Sequence, residues 1–175
     1  AIVLDPNFCL AYVGLADTYL SYIFWGRSSP EEVLEQALTA ALKALELDPT
    51  EGGTYGALGS ISFYRYEKET AINYLEKALE INPSYVAAYD KLAWISIFEG
   101  DTDRAVSLFE KILALDPLST RYLGNIVQSH YYEQDFEKGL LVVNEGLKLF
   151  PEDNMLLWTK ATILTALKKY DEAIA

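Results

Sequence analysis

Four prolines, Pro49, Pro83, Pro117 and Pro151, stand 34 residues apart, and the residues between them repeat one pattern. A period of that length holds more than one secondary-structure element and less than a domain. Each interval is therefore a supersecondary unit that buries its apolar faces against its neighbours. The unit is clearest from Pro83 to Pro117, PSYVAAYDKLAWISIFEGDTDRAVSLFEKILALDP. Tyr89, Leu92, Ala93 and Ser96 fall on one face of a helix. Gly100 breaks that helix, Asp101 can cap a second, and Ala105, Phe109 and Ile112 form the second helix's stripe. Asp116 and Pro117 end it, because a residue before proline is pushed out of the helical region. The spacing predicts a helical hairpin whose stripes face each other, with Ala93 and Ala105 where the backbones come closest.

The flanking units keep this plan. Tyr55, Leu58, Gly59, Ala71, Ala78 and Pro83 occupy the same places in the preceding unit. The following unit has Leu123, Ile126, Val127 and His130, with Gly139 and Gly146 where alanine is usual. These residues resemble the tetratricopeptide repeat, with an aromatic, Leu-Gly and Tyr in its first helix and Ala, an aromatic, Ala and Pro in its second. The resemblance implies an all-α fold, a right-handed α-solenoid of helical hairpins. About four full repeats are expected, at 7–49, 50–83, 84–117 and 118–151, with partial repeats at both ends, the later one at 152–175. The expectation is a single domain over 1–175, a fragment of a longer array with uncovered helical surfaces at its ends.

The first repeat is longer, with 43 residues from Pro6 to Pro49. The extra residues fall between its helices, in FWGRSSPEE from Phe24 to Glu32. Ser29, Pro30 and Glu32 read as a capping box with proline at the first helical position. Trp25 is expected to fold over the hairpin end. This long-connector repeat is similar to arrays attached to bacterial signalling and regulatory proteins, among them winged-helix regulators, class III adenylate cyclases and serine/threonine kinases.

With 51% hydrophobic and 23% charged residues, the chain has enough apolar material for a packed core. No apolar run approaches the roughly 20 residues that cross a bilayer, and the first residues lack a basic start, so no membrane association is expected. The one cysteine, Cys9, excludes an internal disulfide. Cytoplasm is the default compartment. A net charge of -12, from 14 basic against 26 acidic residues, argues against nucleic acid as a partner.

Catalytic constellations are absent from the sequence. His130, the only histidine, sits on a packing stripe, and with one cysteine neither a zinc site nor a cysteine–histidine pair can be assembled. Asp101, Asp135 and Asp171 stand at helix starts, where capping explains them. The glycines form no phosphate-cradling motif. The chain is expected to be no enzyme and to need no cofactor or metal.

Function must then come from surfaces. The first-helix face that the packing stripe leaves free lines, in the family this chain resembles, a concave groove that holds a peptide or a helix. Here that face carries Asp17, then Phe63 and Tyr64, then Asp90, Lys91, Trp94 and Phe98. Arg121, Asn125, Gln128, Tyr131 and Tyr132 continue it, followed by Trp158 and Thr162. Of these, Lys91, Arg121 and Asn125 have the chemistry of the family's carboxylate clamp, but Val13, Gly14, Gly56 and Ala57 fill the matching earlier sites. A clamp is not expected. Tyr and Trp join wide contact area to few rotors, so the expectation is a scaffold for an apolar or aromatic segment of a protein partner. The alternatives are that Trp94, Phe98, Tyr131 and Tyr132 pack between adjacent helices, or that the array is a homo-oligomerisation or regulatory module joined through its ends.

Overall fold

The computed structural model describes residues 1–24 and 30–174. These residues form helices and no strands. In chain order the helices are α1 (Cys9–Phe24), α2 (Pro30–Leu47), α3 (Gly52–Tyr64), α4 (Lys68–Ile81) and α5 (Val86–Glu99). They continue as α6 (Thr102–Leu115), α7 (Thr120–Tyr132), α8 (Phe136–Leu149), α9 (Asn154–Ala166) and α10 (Tyr170–Ile174). The fold class is all-α, as the 34-residue spacing predicts. Trp25 and the Ser29 cap lie outside the described residues.

Each of the four spaced prolines stands between the end of one hairpin and the start of the next. At Pro49 and Pro83 a tyrosine one turn into the following helix ties back to the proline. Tyr55 donates its hydroxyl proton to the Pro49 carbonyl at 2.9 Å, and Tyr89 does the same to Pro83 at 3.1 Å. Aspartates start the helices by accepting an otherwise orphaned backbone N–H. Asp101 Oδ1 accepts from Arg104 N at 3.1 Å, Asp135 Oδ1 from Lys138 N at 3.3 Å, and Asp153 Oδ1 from Leu156 N at 2.9 Å.

The turn inside each hairpin is also periodic, in a way the residue types conceal. Tyr66, Gly100, Gln134 and Lys168, one period apart, have φ of 61°, 77°, 63° and 60°. The next N–H reaches back to the helix, from Glu67 to Ser62 O, Asp101 to Ser96 O, Asp135 to His130 O and Lys169 to Leu164 O, each at 2.9 Å. This is the Schellman end of a helix, which favours glycine at the left-handed position. Only Gly100 meets that preference. Gln134→Gly is therefore expected to stabilise the fold by about 1 kcal/mol, read from the urea-unfolding midpoint; an unchanged or lower midpoint would show that the side chain carries no strain there.

The chain forms two compact units, Ala1–Lys91 and Leu92–Ala175. In the first, Ala16, Leu20, Leu34, Ala37, Ala40, Ala41, Ala57, Leu58 and Ile61 make one core. Its alanines let helices approach closely, and α3 is buried along nearly its whole length, from Gly52 to Ser62 with only Tyr55 partly open. In the second, α6 buries Thr102, Ala105, Leu108, Phe109 and Ile112, a stripe at helical spacing. Val127, Val143, Leu156 and Ile163 form a further core between α7, α8 and α9. His130 is half-buried, and its Nδ1 has no hydrogen-bond partner.

Candidate functional site

In the first unit, the first-helix face is largely filled by the chain itself. The Tyr85 ring lies across Gly56, where an added Cβ would stand 2.0 Å from its Cε1. Burial pushes the Tyr85 phenol above its ordinary pKa, and the charges of Asp17 and Glu51 push it further. Phe63 and Tyr64 meet edge to face with centroids 5.4 Å apart. Lys91 Nζ caps both rings, at 5.5 and 5.4 Å from their centroids, and lies 3.4 Å from Oδ2 of the buried Asp90. The four predicted residues of this unit, Phe63, Tyr64, Asp90 and Lys91, thus form one cluster whose cation is already held by rings and a carboxylate.

Asp17 stands apart from that cluster. Its side chain is open to solvent, yet the surrounding protein desolvates the carboxyl and pushes its pKa up to about 6. A carboxyl that holds its proton more tightly folded than unfolded contributes stability below about pH 4, and loses it as the pH rises through about 6. Asp17→Asn should therefore remove a decline in stability between those values, on the order of 1 kcal/mol once solvent screening is allowed for. Urea unfolding at pH 4 and pH 7 checks this. Parallel pH profiles for the two proteins would contradict it.

The second unit is more open. Trp94 is half-buried, with its ring edge-on to the fully buried Phe109 at 6.4 Å and tilted against Phe98 at 6.3 Å. Phe98 itself is 72% exposed. The Arg121 guanidinium lies 5.1 Å over the Tyr122 ring. Asn125 is buried, and its Nδ2 finds no hydrogen-bond partner. Tyr131 packs against Phe136 at 5.5 Å and meets Tyr132 edge-on at 6.3 Å. Gln128 Nε2 donates to the Tyr132 hydroxyl at 3.1 Å.

Gln128, Tyr131 and Tyr132 come together with Gly124, Met155, Trp158 and Thr162 around a cleft of about 240 Å³ between α7 and α9. Val127, Thr159 and Ile163 complete its lining, and Trp158 is 67% exposed. The structure thus gathers five residues of the predicted face at the cleft, Gln128, Tyr131, Tyr132, Trp158 and Thr162. Trp94 and Phe98 pair elsewhere in this unit, and neither Arg121 nor Asn125 lines the cleft. Met155 escaped the sequence reading. The signal was the period itself, since Met155 stands one repeat of 34 residues beyond Arg121, which the predicted face includes. Among the described residues, no group of three or more His, Cys, Asp or Glu side chains could hold a metal ion.

The class these features define is a repeat protein of helical hairpins. Residues 69–129 match the model of the tetratricopeptide repeat family. No curated protein sequence matches the chain. Among solved structures, pilF of Pseudomonas aeruginosa is 20% identical with a TM-score of 0.74, over 95% of this chain and 72% of that one. YrrB, a TPR protein with an unusual peptide-binding site, is 19% identical with a TM-score of 0.65, over 99% of this chain and 84% of that one. MamA is 26% identical with a TM-score of 0.54, over 97% and 80%. Likenesses at these identities speak for the shared fold. No described helix is long and apolar enough to cross a membrane.

Proposed function

We propose that the chain is a non-catalytic scaffold that holds a peptide or helix of a partner protein against the first-helix face of its repeats. The observation that carries this reading is the exposure of large aromatics on that face. Phe98, Tyr132 and Trp158 remain 72%, 55% and 67% exposed, although buried alternatives are plentiful in a chain this apolar. Such rings cost solvation when left open and act as anchors when covered. The peptide-binding site of YrrB, a protein of the same fold, supports the assignment.

The test is selection of binders from a random peptide library, followed by titration of the selected peptide. Phe98→Ala or Trp158→Ala is expected to weaken binding about tenfold or more, the loss typical of an interface anchor, while the unfolding midpoint stays in place because both rings are largely solvated. Undiminished binding by both variants would end the assignment.

A second reading, association of copies of this chain, has its own observation. Leu118, Leu141 and Leu149 are 74%, 67% and 72% exposed away from the cleft. Light scattering across a concentration series decides it, with a constant monomer mass as the adverse result.

A further inference from the structure

We infer that the cleft between α7 and α9 is a pocket for one bulky, uncharged side chain of the partner segment, aromatic or branched aliphatic. This rests on the scaffold reading and adds to it a position and a chemistry.

Size sets the first limit. Cavities of roughly 150 Å³ accept a benzene ring, whereas sites for drug-sized ligands begin at about 300 Å³. At about 240 Å³ the cleft itself fits one large side chain, and a more open hollow of about 450 Å³ beside it shares Tyr131, Trp158 and Thr162.

Charge sets the second. The lining contains no Asp, Glu, Lys, Arg or His. Both of its threonine hydroxyls and the Gln128 amide N–H are engaged: Thr159 Oγ1 donates to Met155 O at 2.6 Å, Thr162 Oγ1 to Trp158 O at 3.0 Å, and Gln128 Nε2 to the Tyr132 hydroxyl at 3.1 Å. An ammonium or carboxylate entering here would lose water and meet no counter-charge. An apolar side chain loses nothing and covers the faces of Trp158 and Tyr132. The first unit differs, because Lys91 already caps Phe63 and Tyr64, and Tyr85 already lies on Gly56.

The third argument is adaptability. Gly124 has no side chain under Met155, whose Cε lies 3.3 Å from where a Cβ would stand. Met155 is thus an unbranched, 43% exposed wall that can move to fit the occupant.

The experiment is an NMR titration of the full chain with N-acetyl-tryptophanamide, N-acetyl-leucinamide and N-acetyl-lysinamide, followed at the Trp158 indole N–H and the α7 and α9 amides. The first two are expected to give saturable shifts with millimolar dissociation constants, and the lysine amide at least tenfold weaker ones. Trp158→Ala, at a largely exposed position, should remove the response in a folded protein. Equal binding of the lysine amide, or shifts unaltered by Trp158→Ala, would overturn the assignment. So would indole and amide shifts that follow protein concentration without probe, which would make a second copy the occupant. A library-selected peptide separates this inference from the reading beneath it. If that peptide binds without moving the α7 and α9 signals, the pocket falls and the scaffold stands. If no peptide is selected, the scaffold reading falls and the pocket's role falls with it.

Discussion

Phe109→Ala is expected to lower the unfolding free energy by about 3–5 kcal/mol, the range for removing a fully buried aromatic ring. Phe109 has no solvent exposure and stands between two rings, edge-on to Trp94 at 6.4 Å and tilted to Tyr122 at 6.1 Å. Truncation deletes both contacts and leaves a cavity that the helices around it can close only in part. Domains are typically stable by about 5–15 kcal/mol, so this one substitution should shift urea unfolding strongly. In a repeat array the loss is largest near the substitution and fades with distance along the chain. A change below about 1 kcal/mol would mean that the α5–α6–α7 packing is wrong.

Gly56→Ala should also destabilise, against the rule that alanine improves a helix by about 1 kcal/mol. The new Cβ would fall 2.0 Å from Tyr85 Cε1, 2.5 Å from Cζ and 2.6 Å from the hydroxyl oxygen. The ring must leave, and it takes its buried contacts with α3 along; overpacking of this kind costs about 1–3 kcal/mol. Gly14→Ala is the control, since an added Cβ there meets nothing within 4 Å. That change should stabilise by about 0.5–1 kcal/mol. Thermal or urea unfolding of both variants should move in opposite directions. Equal gains from both would remove Tyr85 from its place on α3.

The fold was legible because its determinants are local and periodic. The spaced prolines, the capping aspartates and stripes such as Ala105, Phe109 and Ile112 each need only a few neighbouring residues to be read. The Schellman turns were less legible, since Tyr66, Gln134 and Lys168 adopt a backbone that their side chains do not advertise. Gly56 gave no hint of its role, because Tyr85 belongs to the next repeat. The site was legible as a face and illegible as a set of contacts. Helical spacing put Trp94 and Phe98 together, but only packing shows that Trp94 leans on Phe109 while Phe98 remains open. Asn125 shares a helix with Gln128 yet is buried, a difference of rotation that one sequence cannot resolve.

The claim that first helices carry the binding surface is tested most directly by photo-crosslinking. A library-selected peptide bearing a benzophenone is irradiated with the protein, and the attached residues are mapped by mass spectrometry. Crosslinks at Phe98, Tyr132, Met155 and Trp158 are the predicted result. Crosslinks confined to the outer side of α6 and α8, at residues such as Leu115, Leu141 or Leu149, would contradict it.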